Sequence, residues 1–233
     1  MEKADNSPVK KKWWQKIIQF ISLKIVSPIT WNPIKAVFNG GVYWNLTEED
    51  HDKLRKLLKD NHYFLLNYRN SHLTTYLIGL ATLIKTGKWA RYTHAFINIE
   101  GDAINSDADF RIIEATGKGV HYSTFMEVFD CDAVMLRTPR GITPDEWVIM
   151  INKVLKDGLG KPYDTLFDVM NDLELSCVEV IWIMLKAIPD YEKHIPNLLK
   201  EVNRVGNLTP QMYADTPDFE TVLVIRRSSR LLN

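Results

Sequence analysis

The residue with the clearest chemical potential is Cys177, which follows Ser176 at the start of a predicted helix. Beyond it, apolar residues cover almost every side of the helical wheel, and only Glu179 and Lys186 are charged. A helix without a polar face is typical of a protein core. Its first turn offers unpaired backbone N–H groups and the positive end of the helix dipole, which favour a thiolate. The alternative is that Cys177 is an ordinary core residue, because free cysteines are among the most buried side chains.

A base for this nucleophile could come from His94, which lies in the middle of a predicted strand, and Glu114 lies in the strand that returns. If a simple antiparallel hairpin pairs Asn98 with Phe110, the same register places His94 directly opposite Glu114. Opposed side chains share a face of the sheet with Cβ atoms about 4.5–5.5 Å apart. A carboxylate at that distance can hold an imidazole ring in one tautomer. The register is an assumption, and a slip of one residue would put the two side chains on opposite faces.

A thiol, an imidazole and a carboxylate in this order form the nucleophile, base and orienting group of cysteine hydrolases. Each residue also has a structural interpretation, since a single strand His is commonly a hydrogen-bonded structural residue and a strand Glu is commonly exposed. Because His94, Glu114 and Cys177 occur together, the catalytic interpretation is favoured for each of them more than it would be for any one alone.

The composition excludes several other functions. Lys+Arg and Asp+Glu number 29 each, so no overall basic charge indicates a nucleic-acid partner. Cys131 and Cys177 are the only cysteines, which rules out a disulfide scaffold, and Cys131 is predicted to be a plain core residue. The chain has no CxxC, HExxH, Walker or GxGxxG motif. We therefore expect no metal and no cofactor.

The elements that must position these residues are short strands in the middle of the chain with helices around them. This arrangement predicts an α+β class with a mostly antiparallel sheet. The predicted strands cover residues 63–68, 92–99, 111–116, 120–122, 133–138 and 221–225. Three predicted helices cover residues 73–85, 123–129 and 197–205. Three more are predicted by their starts alone, at the Thr47 cap, at Pro144 and at Cys177.

The N-terminal residues 1–38 form a separate unit ahead of a domain over 39–233. They comprise a basic tail, a predicted amphipathic helix over 12–26 with Trp13 and Trp14, and a proline-containing linker. A basic, tryptophan-rich helix suits an anionic membrane surface, but it could equally dock on its own domain or on a partner. It is too short and too charged to span a bilayer and makes a poor signal peptide, so we expect a cytoplasmic or peripherally membrane-associated protein.

Several short motifs carry a family resemblance: YTHAF at 92–96, IEA at 113–115 with Gly119 and Val120 after it, GKPYD at 160–164, and SCVE at 176–179. In this order they resemble the circularly permuted branch of the NlpC-type papain-like cysteine peptidase superfamily, which includes the YiiX/YebB-like proteins. In that branch the histidine strand precedes the cysteine helix. The likeness extends over roughly residues 62–188, and each motif is short.

The resemblance implies a permuted papain-like fold in which the central antiparallel sheet packs against a buried helix that carries the cysteine at its N-terminus. It implies that Cys177 is the nucleophile, His94 the general base and Glu114 the orienting third residue. Tyr163 matches a tyrosine close to the reaction centre and is a candidate oxyanion-hole donor. Val178 stands where the family often has serine, a departure that touches no proposed catalytic atom.

By the same resemblance, the expected activity is that of a cysteine amidase or peptidase acting on a cell-wall peptide or a lipid-linked amide. Relatives include peptidoglycan endopeptidases and lecithin:retinol acyltransferase-like enzymes, so a lipid acyl hydrolase or acyltransferase is an alternative. An isopeptidase acting on proteins would need an open groove. A non-catalytic membrane- or partner-binding protein on a papain-like shell is a further alternative, but it would have no reason to keep Cys, His and Glu in register.

Overall fold

The computed structural model of the protein describes residues 46–59, 61–69, 73–99, 110–164 and 173–227. In chain order the elements are α1 (Glu48–Lys59), β1 (Tyr63–Tyr68), α2 (Leu73–Thr86), β2 (His94–Asn98), β3 (Ile112–Thr116), β4 (Gly119–Ser123), α3 (Phe125–Phe129), β5 (Ala133–Pro139), α4 (Pro144–Asp157), α5 (Cys177–Leu185), α6 (Tyr191–His194), α7 (Pro196–Val205), α8 (Pro210–Asp215) and β6 (Phe219–Arg226).

The strands form one six-stranded sheet in the order β4-β3-β2-β1-β5-β6, and every neighbouring pair is antiparallel. Alternate residues of a strand point to opposite faces. Leu66 and Ala95 therefore join a cluster with α4, α5, α7 and α8, whereas Leu65 and Phe96 join a second cluster with α1 and α3. Because both faces are covered, a central strand such as β1 is apolar almost throughout.

Helix α5 lies in the first of these clusters, and all nine of its residues are buried. It contacts β2 and β3, the two strands that carry the predicted base and carboxylate. The sheet is antiparallel, as predicted, and it packs against a buried helix that carries the cysteine at its N-terminus. The α+β fold class is confirmed.

Local sequence signals locate most of the elements. Thr143 caps α4 and Thr124 caps α3, and in each case a glutamate three residues later closes a capping box. Within the described ranges, every predicted strand, and every helix predicted with both bounds, agrees with the structure to within two residues at each end. The short helices α6 and α8 were not predicted, since four and six residues carry too little periodicity to detect.

The assumed pairing of β2 with β3 was wrong by two residues. The structure pairs Phe96 with Glu114 and Asn98 with Ile112, so His94 is not directly opposite Glu114 but lies diagonally across from it. A shift of two residues keeps every side chain on its original face, because the side-chain period of a strand is two. His94 and Glu114 consequently still share a face.

Some predictions concern residues outside the described ranges. These are the predictions for the N-terminal unit 1–38, including its helix over 12–26. Within the described ranges, no helix combines the length and the apolar character that crossing a membrane requires.

Candidate active site

Cys177 is the first residue of α5, and only 1% of its surface is exposed. The backbone N–H of the preceding Ser176 donates to the Glu179 carboxylate at 2.6 Å, so Glu179 caps the helix from inside its first turn. On the far side of this turn, the hydroxyl of the buried Tyr213 in α8 donates to the carbonyl of Val178 at 3.1 Å. The turn that carries the thiol is therefore held by two buried side chains.

His94 is the first residue of β2 and bridges the carboxylate and the thiol. Its Nε2 lies 2.6 Å from Oε2 of Glu114, and its ring also interacts with the Cys177 side chain. Since Glu114 engages Nε2, Nδ1 is the nitrogen left for the sulfur. Burial alone would lower the pKa of His94, but its contacts with Cys177 and Glu114 outweigh burial and raise that pKa to about 9. The ring is thus a cation at neutral pH.

Glu114 is 5% exposed and is held by more groups than the sequence indicated. The Ser123 hydroxyl donates to its Oε1 at 2.5 Å, and Nε2 of His121 lies 3.8 Å from the same oxygen. Burial tends to raise the pKa of Glu114, but the His94 contact, the Ser123 hydrogen bond and the charge of Arg69 together lower it to about 2. The carboxylate stays ionised at all ordinary pH values.

Ser123 and His121 were missed by the sequence analysis, although a signal for them exists. Gly117 and Gly119 mark a tight turn after β3, and such a turn fixes the register of the returning strand. The observed register pairs Glu114 with His121 and Ile112 with Ser123, which puts both polar residues on the face of Glu114.

Tyr163 reaches the thiol through a close backbone contact. The Val120 N–H donates to the carbonyl of Lys161 at 2.9 Å, and the Gly160 N–H donates back to Val120 at 2.9 Å. At Gly119, where φ is +93°, an added Cβ would lie 2.5 Å from the Lys161 carbonyl oxygen, so only glycine permits this approach. The segment Gly119–Val120 and the start of the GKPYD motif at 160–164 are therefore hydrogen-bonded directly to each other.

The Leu175 N–H closes this loop by donating to the Pro162 carbonyl at 2.9 Å. The Tyr163 side chain interacts with the Cys177 side chain at this point. Burial, reinforced by the nearby Cys177 and by the acidic Asp164 and Glu179, raises the pKa of Tyr163 well above its ordinary value. The phenol consequently remains a proton donor.

All four residues predicted for the site are brought together: Glu114 touches His94, and both His94 and Tyr163 touch Cys177. The arrangement can deliver a proton from a cationic imidazole next to a sulfur at a helix N-terminus. It can also place a phenolic O–H where negative charge would develop on a substrate oxygen.

The described part of the chain also contains a cavity, which lies away from these four residues. A cavity of about 340 Å³ lies between the end of α2 and helices α7 and α8, and none of the four residues lines it. Within the described part of the chain, no cluster of three or more His, Cys, Asp or Glu side chains is arranged to hold a metal ion.

Comparisons with known proteins are sparse. No family model matches the chain, and no curated protein sequence matches it. One solved structure that does match is the crystal structure of the metalloprotein YiiX from Escherichia coli O157:H7, at 17% identity and a TM-score of 0.49. The alignment covers 72% of this chain and 99% of that chain. A likeness this distant assigns neither a chemistry nor a metal to this chain.

Proposed function

We propose that the protein is a cysteine hydrolase that cleaves an amide bond with Cys177 as nucleophile, His94 as acid and base, and Glu114 as the orienting carboxylate. The observation that carries this proposal is the position of His94, which contacts a buried carboxylate on one side and a helix N-terminal thiol on the other. A structural histidine needs a partner for its ring, but it has no need of a nucleophile at the second nitrogen.

In the first half of the reaction, the Cys177 sulfur attacks the carbonyl carbon of the substrate. The carbonyl oxygen becomes an oxyanion as the C–S bond forms. His94, protonated at the start because of its raised pKa, gives its proton to the leaving nitrogen as the C–N bond breaks. An amine leaves, and the acyl group stays on Cys177 as a thioester.

In the second half, His94 is neutral and takes a proton from an entering water. The resulting hydroxide equivalent attacks the thioester carbonyl, and the C–S bond breaks to release a carboxylic acid, which frees the Cys177 sulfur and leaves the proton from water on His94. Glu114 takes up no proton in either half, because its low pKa keeps it ionised. Its role is to hold the ring orientation and to stabilise the imidazolium.

The oxyanion requires donors that are already in place. The N–H of Cys177 lies in the first turn of α5, where backbone N–H groups have no partner within the helix. The Tyr163 hydroxyl is a second candidate, because the Tyr163 side chain already interacts with that of Cys177.

For the substrate, we propose the classes that the family resemblance implies, a small cell-wall peptide or a lipid-linked amide. Both present an acyl group on nitrogen, which is what the proposed steps consume.

Trapping the acyl-enzyme tests the chemistry without knowledge of the substrate. The full chain is mixed with p-nitrophenyl acetate, and intact-protein and peptide mass spectrometry follow the acetyl group. We expect one acetyl group on Cys177 that forms and then decays. His94→Ala should slow its formation by about a hundredfold or more, the usual contribution of a positioned acid–base group.

The matched control is His194→Ala. His194 is as exposed as His94, at 21% against 20% of the side chain, and it also has a carboxylate neighbour, Glu146 at 3.6 Å. This variant should behave like the wild type. Acetylation elsewhere than Cys177, or equal rates in the two histidine variants, would contradict the proposal.

A further inference from the structure

Helix α2 has its polar and apolar faces reversed relative to an ordinary surface helix. Its inward side carries Thr75 and Thr82, which are 5% and 1% exposed. Thr82 and Thr86 satisfy their hydroxyls within the helix by donating to the carbonyls four residues earlier, at 2.8 Å each. A helix on the surface of a globular protein normally turns its apolar stripe to the core and its polar residues to water. The reversal in α2 needs a reason outside the core.

The outward side of α2 is apolar. Its side chains, together with that of Trp89 just beyond the helix, form a continuous exposed surface that we call the α2 face, composed of Leu77, Leu80, Leu83, Ile84 and Trp89. Ile84 is the most exposed, at 76%, and the others are 38–46% exposed. Single exposed apolar residues are ordinary, but four on one helix with a tryptophan beside them mark an interaction surface.

The α2 face is built into the fold and is not left over from poor packing. An added Cβ at Gly79 would lie 2.7 Å from the Trp89 ring, so the indole lies directly against the helix backbone at this glycine. Glycine in the middle of a helix normally costs stability. Here it provides the space in which the Trp89 ring rests, at the edge of the exposed stripe.

The charges carried by the α2 segment itself are positive. The sequence contains no aspartate or glutamate between Asp60 and Glu100, and the exposed cations Lys85, Lys88 and Arg91 lie at the end of α2 and just beyond it. Acids from elsewhere in the described chain reach this region: Glu201 interacts with Lys88 but is already paired with Arg204, and Asp132 interacts with Tyr76. An apolar helix face with a tryptophan and lysines at its margin matches the features of a segment that lies in a membrane interface.

The charges near the α2 face favour a membrane over the other partners that could cover it. The N-terminal segment 12–26 is amphipathic, but it is basic as well, and docking it here would bring Lys12 and Lys16 towards the cations around α2. A second copy of the chain would oppose the same cations to themselves. An anionic lipid surface complements both basic segments at once, because each cation near the surface is attracted to the lipid phosphates.

We propose that the α2 face is a docking surface for an anionic lipid bilayer, in which the leucines, Ile84 and Trp89 enter the interface while Lys85, Lys88 and Arg91 contact lipid phosphates. The surface is joined to the candidate active site by its inward side, because the Thr93 hydroxyl, next to His94, donates to Thr75 of α2 at 3.5 Å. Docking in this way would hold the site close to the membrane. The membrane-binding claim does not depend on the proposed catalysis.

Vesicle co-sedimentation of the full chain tests the proposal. The vesicles contain equal parts of phosphatidylcholine and phosphatidylglycerol, and phosphatidylcholine alone serves as the neutral comparison. We expect binding to the anionic vesicles that weakens in high salt. The double variant Leu77→Gln/Ile84→Gln should lower the partition coefficient by at least about tenfold. This is the order expected when two aliphatic side chains that the bilayer would bury are replaced by polar ones.

The matched control is Val148→Gln/Ile149→Gln in α4, which removes two aliphatic side chains that are 56% and 42% exposed on a different helix. It should bind like the wild type. Both pairs are exposed, so circular dichroism should show the same fold in each variant. Hydrogen exchange on vesicles should protect residues 73–89 and leave residues 144–157 unchanged.

Three outcomes would overturn the proposal. The wild type could fail to bind anionic vesicles, or the α2 variant could bind as well as the α4 variant. Alternatively, Trp13→Ser/Trp14→Ser could abolish binding while the α2 variant leaves it intact, which would assign the membrane contact to the N-terminal segment alone. Failure of vesicle binding with normal acetylation of Cys177 would leave the proposed hydrolase standing, so the two proposals fail separately.

Discussion

The two cysteines of this protein are equally buried but lie in opposite surroundings. Cys131 and Cys177 are each 1% exposed. Cys131 lies in the cluster of Phe96, Phe125 and Phe129, and burial there raises its pKa to about 12. Cys177 instead begins a helix and contacts an imidazole and a phenol. Burial therefore does not distinguish an inert thiol from a candidate nucleophile; the polar groups that reach the sulfur do.

The largest expected effect is the difference in alkylation between these two thiols. At about pH 8 a thiol with a pKa of about 12 is ionised in only about one molecule in ten thousand. We expect iodoacetamide to modify Cys177 at least about a hundredfold faster than Cys131 in the native protein, measured by peptide mass spectrometry. In concentrated urea the two rates should converge.

The Cys131→Ser variant should keep the fast reaction and the Cys177→Ser variant should lose it. If His94→Ala leaves the fast reaction unchanged, or if the two thiols react at the same rate in the native protein, the contrast between their surroundings has no chemical consequence.

An intermediate effect is expected from Glu114→Gln, which removes the charge beside His94 but keeps the shape of the side chain. Without the carboxylate, the pKa of His94 should fall from about 9 towards its ordinary value of about 6.5, as followed by NMR of the ring protons. Alkylation of Cys177 should slow by about tenfold, the lower end of what an orienting carboxylate contributes.

The comparison variant is Glu146→Gln, which removes the carboxylate next to His194. It should leave both the pKa of His94 and the reactivity of Cys177 unchanged. A His94 pKa that does not respond to Glu114→Gln would mean that the 2.6 Å contact is not an ion pair.

The smallest effect is on stability, where the His94–Glu114 pair should contribute about 1–3 kcal/mol to the free energy of unfolding. The folded pKa of His94 is above its unfolded value, so its contribution is complete below about pH 6.5 and is lost as the pH rises through 9. The folded pKa of Glu114 is below its unfolded value, so its contribution is complete above about pH 4.5 and is lost as the pH falls through 2.

Urea unfolding of the wild type and Glu114→Gln from acid to alkaline pH measures this. The difference between the two proteins should be greatest between about pH 4.5 and 6.5. A difference that keeps growing above pH 9 would contradict the sign of the His94 shift.

The β2–β3 hairpin shows which features of strand pairing the sequence predicts and which it does not. Alternation of side chains was enough to place His94 and Glu114 on one face, since that property depends only on parity. The register itself was wrong by two residues, because the long connection between these strands imposes no fixed pairing. The β3–β4 connection is a tight glycine turn, and there the register, with Ser123 and His121 beside Glu114, was available to sequence reasoning.

Local chemistry by itself determined the existence and approximate bounds of most of the elements: the threonine and glutamate boxes that begin α3 and α4, the apolar strands, and a helix apolar enough to be buried with a cysteine at its start. These signals act between neighbours in the chain, so one sequence contains them. Only the tertiary structure decided that Tyr163 reaches Cys177 and that α2 turns its threonines inward and its leucines to solvent. Both depend on close approaches, at Gly119 and at Gly79, between segments that the sequence alone does not place against one another.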